Sequence, residues 1–268
     1  MHLDVPAMME KTRRSRPLVV HVTNYVTIND CANICIAAGG SPCMSVEPSD
    51  AADLVRIADA VVVNIGTPDD GIVGRALMSA ARTAAELGKP LVLDPAGCGA
   101  SAIRTDLTKR IIDECVRLSP SACIIKGNAG EIGFLSGMGG KVRGVDSAGA
   151  DDAKASTLGL AQSLGCVVSC TGATDYVSDG KDVIALDRGT PMEENVSGTG
   201  CMLSSVTGCY AGACGVSLES AAAAITVFNV AAEKAEKVSA GPGTFRLNLM
   251  DAIYNLSKED FRCSNSTP

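Results

Sequence analysis

Five short apolar runs, each followed by polar or glycine residues and separated by longer helix-forming stretches, confine this chain to a small set of folds. The runs are Leu18 to Val22, Ala60 to Ile65, Pro90 to Asp94, Ala122 to Lys126 and Cys166 to Cys170. Helical patterns occupy the gaps, at Asp50 to Ala58, Gly71 to Leu87, Thr105 to Arg117 and Asp151 to Leu164. A strand with one wet face alternates apolar and polar residues. These runs are apolar nearly throughout, so both faces must be covered, as in a parallel sheet held between two helical layers. Tyr176 to Ser178 and Val183 to Leu186, joined across Asp179-Gly180-Lys181-Asp182, read as a hairpin at one edge, and beyond it the pattern is almost wholly helical. Aromatic residues make up 3% and Trp is absent, while Gly reaches 28 residues, which favours close helix-on-sheet packing over a β-sandwich.

In such a sheet, ligands collect beyond the carboxyl ends of the strands. The residues that fall there are His21-Val22-Thr23-Asn24, Asn64-Ile65-Gly66-Thr67, Asp94-Pro95-Ala96-Gly97-Cys98-Gly99, Lys126-Gly127-Asn128-Ala129-Gly130-Glu131 and Thr171-Gly172. Each group alone reads equally as a turn. Together they line one rim, where Asp94 and Glu131 are candidates to hold Mg²⁺ directly or through water, and Lys126 to meet a phosphate. The stretch Asn195-Val196-Ser197-Gly198-Thr199-Gly200-Cys201 begins polar and glycine-rich and runs into a long apolar helical segment. That is a loop delivering a helix N-terminus, whose unpaired amides and dipole suit a phosphate at Gly198, Thr199 and Gly200. Gly97-x-Gly99-x-x-Ala102 matches a dinucleotide fingerprint, but the acid expected at the end of the next strand is replaced by Lys126, which ranks nicotinamide chemistry below phosphate transfer.

Net charge of −7 with no basic stripe argues against a nucleic-acid partner. Twelve cysteines suggest disulfides until their positions are read: Cys31, Cys35, Cys115, Cys123, Cys166 and Cys170 lie in apolar runs and are expected as reduced core residues. No C-x-x-C pair occurs and only His2 and His21 could join Cys at a metal, which disfavours zinc. No signal-peptide pattern or membrane-length apolar span opens the sequence, so the cytoplasm is the expected compartment and no membrane the expected partner. Residues 1–16 are expected as an N-terminal arm, amphipathic helix or loose tail, and 17–268 as a single domain; Ser136 to Ala150, with five glycines, reads as a mobile surface loop.

Taken together, His21 to Asn33, Asn64 to Thr67, Asp94 to Gly99, Lys126 to Glu131 and Gly198 to Cys201 resemble the hydroxyethylthiazole kinase family, in one order and over about residues 17 to 256. The resemblance implies a ribokinase-like α/β three-layer sandwich, mainly parallel, with helices on both faces. It also implies ATP, Mg²⁺ and phosphorylation of the primary alcohol of 4-methyl-5-(2-hydroxyethyl)thiazole in thiamine salvage, by a homotrimer with active sites at subunit interfaces. Carried over by position, it places thiazole binding at Asn24, Met44 and Gly198, with Asn29 and Asn33 as further neutral hydrogen-bonding groups on one helix face. Nucleotide binding falls to Lys126, Asn128, Thr171 and Gly198, metal to Glu131 and Asp94, and catalysis to Gly198, Thr199, Gly200 and Cys201. Cys201 stands where the wider ribokinase-like group has Asp, and Lys126 where members of this family often have Arg. A thiol at a helix N-terminus is expected to acidify, an effect that an arriving phosphate opposes. The competing readings are a thiazole-binding protein without turnover, a lyase of the same fold, and the disfavoured dehydrogenase.

Overall fold

The computed structural model describes residues 3–137 and 150–261, so most of the loop expected from Ser136 to Ala150 lies outside the described residues. Eight strands form one sheet: β1 Leu18–Val22, β2 Ser41–Met44, β3 Ala60–Asn64, β4 Leu91–Asp94, β5 Cys123–Asn128, β6 Val167–Thr171, β7 Asp175–Ser178 and β8 Val183–Leu186. Their spatial order is β2-β1-β3-β4-β5-β6-β7-β8, parallel through β6, with β7 and β8 added antiparallel as the expected edge hairpin. The five central runs match their expected positions within two residues at either end. β2 was absent from the expectation because Ser41-Pro42-Cys43-Met44 is short, carries a proline and lies at the edge, where a missing N–H is tolerated.

The helices are α1 Val5–Ser15, α2 Ile28–Ala37, α3 Pro48–Ile57, α4 Ile72–Glu86, α5 Ala102–Ile111, α6 Ala129–Leu135, α7 Ala150–Leu164, α8 Thr199–Cys214, α9 Leu218–Lys237 and α10 Pro242–Asn255. They divide the core in two. Val19, Val62, Val92, Ile124 and Val167 face α1, α2, α8, α9 and α10, whereas Val20, Val63, Leu93, Ile125 and Val168 face α3, α4, α5 and α7. Adjacent residues of every central strand therefore enter opposite cores, which is why the strands are apolar without alternation. Burying each such side chain is worth about 1.5–3 kcal/mol, so the covered sheet carries much of the stability.

Helix α8 crosses the first face closely. A Cβ at its Gly208 would lie 2.7 Å from Val62 Cγ2 and 3.0 Å from Val19 Cγ1, so only glycine lets the helix backbone rest on the sheet there. Residues 5–15 form a helix whose Val5, Met9 and Thr12 are buried, and Arg13 donates to the carbonyls of Ile253, Tyr254 and Leu256, closing the last turn of α10. The cysteines described are all free, and Cys31, Cys35, Cys115, Cys123, Cys166 and Cys170 are buried.

Candidate active site

Chain order reverses between β1 and β3: from β1 the chain first steps outward to β2, then returns to the other side of β1. Loops leaving two such strands diverge and open a crevice at their carboxyl ends. Asn24 lies just past β1 and Asn64 ends β3, so both stand in that crevice. The two amides are buried and locked together, with Asn24 Nδ2 donating to Asn64 Oδ1 at 3.0 Å. Asn24 Oδ1 accepts from the Thr27 hydroxyl at 3.1 Å, and Asn64 Oδ1 accepts from Gly66 N–H at 2.8 Å. Both Nδ2 groups also donate to Cys201 Sγ, each at 3.3 Å.

The neighbouring strand ends continue this cluster as a polar row. Asn64 is level with Asp94, Leu93 with Ile125, and Lys126 with Ser169. By the two-residue period of a strand, Asn64, Asp94, Lys126 and Ser169 all point to the α8 side. Lys126 Nζ donates to Gly200 O at 2.9 Å and lies 4.0 Å from Asp94 Oδ2, with both side chains about 4% exposed. Asp94 Oδ2 in turn accepts from Ser204 Oγ of α8 at 2.6 Å. Ser169 Oγ is buried and has no hydrogen-bond partner among the described residues.

Above the row stands the N-terminus of α8. Gly198 takes the cap position with φ of +91°, and a Cβ on it would sit 2.2 Å from Thr27 Cγ2. The first intrahelical bond runs from Met202 N–H to Gly198 O, leaving the N–H groups of Thr199, Gly200 and Cys201 without helical acceptors. The Thr199 hydroxyl donates to Glu193 O at 3.1 Å, fastening the loop to the turn that precedes it.

Glu131 occupies the third residue of α6 and forms a reciprocal cap with Asn128. Its Oε2 accepts from Asn128 N–H at 2.8 Å, and its Oε1 accepts from Gly97 N–H at 2.7 Å. The glycine-rich turn after β4, which resembled a dinucleotide fingerprint, therefore serves to receive this carboxylate. Burial and the nearby charge of Asp94 push the Glu131 carboxyl above its usual range, against the pull of those two N–H donors and Lys126. Each oxygen keeps a lone pair, so the residues present fit a hard divalent cation held by Asp94 and Glu131. Among the described residues no group of three or more His, Cys, Asp or Glu converges, so such a cation would take its other ligands from phosphate and water.

Cys201 departs from its expectation. Burial and the charge of Asp94 raise its thiol pKa, outweighing Lys126 and the hydrogen bonds from Thr27 and Asn24, so the sulfur is a neutral thiol near pH 7. Helix position alone gives the opposite sign because it leaves out the burial of the sulfur and, after it, the Asp94 carboxylate that β4 brings alongside. Met44 ends the edge strand β2, level with His21 and partly exposed, outside the hydrogen-bonded row. Thr171, which ends β6, donates its hydroxyl to Gly127 O at 3.4 Å. Asn29 and Asn33 do share a helix face, but both are exposed and Asn33 Nδ2 donates to the Asn29 side chain at 3.0 Å rather than into the crevice. Asn64, present in the sequence only as part of a rim group, belongs to the centre; its register with Asp94 is what reveals it. A separate cavity of about 440 Å³, lined by Asp69, Arg75, Arg82, Asp106 and Arg110 among others, lies between α4 and α5, and none of the row residues lines it.

The profile of the Hydroxyethylthiazole kinase family matches residues 9–259. A hydroxyethylthiazole kinase of Methanocella arvoryzae is 44% identical over 254 residues, covering 94% of this chain and 93% of the relative. One of Pyrococcus furiosus is 43% identical over 260 residues, covering 96% and 95%. Among solved structures, the hydroxyethylthiazole kinase protein of Pyrococcus horikoshii superposes with a TM-score of 0.87 at 36% identity, covering 97% of this chain and 96% of that one. The ADP complex of Bacillus subtilis pyridoxal kinase shares the fold, with a TM-score of 0.55 at 17% identity over 81% and 92% of the two chains.

Proposed function

The chain belongs to the hydroxyethylthiazole kinase family, and from that premise we propose how the strand-end row phosphorylates the primary alcohol of 4-methyl-5-(2-hydroxyethyl)thiazole with ATP, the salvage step of thiamine synthesis. The observation that carries the reading is the coincidence, on one face, of a helix N-terminus with unpaired amides, a buried ammonium reaching it, and a neutral amide pair around Cys201.

The division of labour follows from charge. Asn24, Asn64 and Cys201 carry no charge and suit an uncharged alcohol, while Met44 and Gly198 border the thiazole on this reading. The amides of Thr199, Gly200 and Cys201, with Lys126, receive the transferring phosphoryl group; Asn128 and Thr171 stand towards the remainder of the nucleotide. Lys126, bonded to the Gly200 carbonyl, already stands at the loop where phosphate oxygens would arrive. Mg²⁺ held by Asp94 and Glu131 would offset phosphate charge and orient the triphosphate. A neutral thiol is a poor proton acceptor, so Cys201 positions the alcohol, and its proton leaves late, as a loose phosphoryl-transfer transition state permits.

Two features support assembly into a homotrimer with sites at the subunit boundaries. Tyr25 and Val26, adjacent to the crevice, are 58% and 67% exposed, and Met44 stands at the open edge of the sheet. Sedimentation equilibrium tests the stoichiometry, and a monomer active on its own would refute shared sites. No helix among the described residues is long and apolar enough to cross a membrane, and we place the enzyme in the cytoplasm.

The decisive assay is ADP release that depends on both ATP and the thiazole alcohol, in the parent and in Gly198→Ala. The substitution forces a left-handed backbone onto alanine and drives its Cβ into Thr27, so turnover should fall on the order of 10²-fold or more. Normal turnover in a folded Gly198→Ala protein would remove this loop from the mechanism.

A further inference from the structure

A short 3₁₀ turn, Pro191–Asn195, leads directly into the phosphate loop, and its third residue, Glu193, touches that loop through its backbone. Glu193 O accepts both the Thr199 hydroxyl and the Val196 N–H. Its side chain turns back and caps the same turn, with Oε1 accepting from Thr190 N–H at 3.3 Å, while Thr190 Oγ1 accepts from Met192 N–H at 3.1 Å. The carboxyl thus adds a side-chain cap to a turn that backbone bonds also close, and it fixes the residue whose carbonyl holds Thr199.

Its surroundings oppose a negative charge. Asp175 at the start of β7 and Glu233 on α9 are gathered with Glu193 around Gly189, through Asn229 Nδ2 and Gly189 N–H, so their like charges act on it while Lys126 on β5 acts as an opposite charge. Neither neighbour is free to move away. Asp175 is held by Gly172 N–H at 3.0 Å and Asn229 Nδ2 at 2.7 Å, and Glu233 is gripped by Arg188 and by Gly189 N–H. Arg188 is itself committed to Glu233, and Asp187 is bonded by Thr174. Gly189 leaves little room, since a Cβ there would lie 3.3 Å from Glu193 Oε1 and 3.5 Å from Asn229 Cγ.

We propose that Glu193 is a proton-dependent positioning residue for the phosphate loop, whose carboxyl holds the Pro191–Asn195 turn, and through it Thr199, in place when protonated and releases them when ionised. Burial first, then the charges of Asp175 and Glu233, raise this carboxyl to about 7, against the Thr190 N–H and Lys126, so the transition falls near neutrality. Ionisation there puts a charge among fixed carboxylates, and the side chain relieves it by turning outward, which frees the turn. An incoming triphosphate adds negative charge beside the loop and favours the protonated form further. Binding of ATP and retention of the proton are thus linked.

The inference rests on the phosphate-loop reading above. Its test is the pH dependence of KM for ATP, at saturating Mg²⁺ and thiazole alcohol, in the parent, Glu193→Gln and Thr199→Val. If only the protonated form binds, KM of the parent rises about tenfold between about pH 6 and about pH 8, because the competent fraction falls by that factor. Glu193→Gln imitates the protonated group and should stay within about twofold across the same range. Thr199→Val cuts the tie between turn and loop, and should show a raised KM that no longer varies with pH. That second variant carries the test if the first does not fold. Profiles that rise in parallel in all three proteins would overturn the proposal, since they would report titration of the nucleotide instead. If Gly198→Ala is inactive while the profiles stay parallel, the loop assignment survives and the proton link alone fails; normal turnover in Gly198→Ala would sink both.

Discussion

The two halves of the strand-end row are built on opposite electrostatic plans. Around Asn24, Asn64 and Cys201 every group is neutral, and each amide hydrogen bond fixes another, so the cluster keeps its geometry before any substrate arrives. Around Asp94, Lys126, Glu131 and Glu193, three carboxyl groups share one ammonium, and the ion pair between Asp94 and Lys126 is open to 4.0 Å. The contrast teaches what each half is for. On the proposed reading, a finished neutral network positions an alcohol that brings no charge, and a charged half whose carboxyl groups outnumber its cation is completed by the ligands it binds.

Removing the ammonium breaks the comparison most severely. Lys126→Met keeps the buried methylene stem and loses the charge, so kcat should fall on the order of 10³-fold, while KM for the thiazole alcohol stays within about twofold. Steady-state kinetics with each substrate varied in turn checks both halves of that statement. A large rise in KM for the alcohol would mean the two halves are not separable.

Asn64→Ala attacks the other half. It leaves Gly66 N–H without its acceptor, Asn24 Nδ2 without one of its two and Cys201 without one of its donors, so stability should drop by about 1–3 kcal/mol in denaturant unfolding. KM for the alcohol should rise about tenfold with KM for ATP little changed. If ATP binding suffers instead, the neutral cluster is not the alcohol side.

Glu131→Gln should act more mildly and should respond to metal. Both carboxylate oxygens accept backbone N–H groups, so one of those donors would face the new NH₂, costing about 1 kcal/mol in stability. Turnover should fall about tenfold at limiting Mg²⁺ and recover in part as Mg²⁺ is raised. Unchanged Mg²⁺ dependence together with lowered stability would make Glu131 a helix cap and nothing more.

How far the sequence reveals this arrangement depends on whether a residue's environment is local. Strand runs such as Ala60 to Ile65 are legible because covered faces demand apolar residues, and the glycine loop that opens α8 because Gly198 and Gly200 precede a long helical segment. β2 is not legible, since nothing in Ser41-Pro42-Cys43-Met44 outweighs its proline until β1 pairs with it. The role of Glu193 is equally hidden, because it depends on Asp175 and Glu233, which come from a different strand and a later helix. Glu131 falls between: Asn128-x-x-Glu131 is a recognisable capping box, but the bond from Gly97 appears only when β4 and β5 lie side by side.

The smallest effect is expected at Cys201, where the two plans meet. Its sulfur is held by the neutral amides, yet burial and, after it, the charge of Asp94 keep the thiol protonated. Because that shift is upward from 9, ionisation of Cys201 lies above the working range, and no rise in kcat between about pH 6 and about pH 9 should trace to it. Cys201→Ala should therefore slow turnover only several-fold, on the order of 1 kcal/mol of lost positioning, with the shape of the pH profile unchanged. Cys201→Asp offers a carboxylate to the same two Asn donors and should retain or increase turnover, provided its repulsion with Asp94 is met by the metal. Rates of the three proteins against pH decide the matter. A basic limb present in the parent and absent from Cys201→Ala would make the thiolate a true proton acceptor, and would move Cys201 from the neutral half of the site to the charged one.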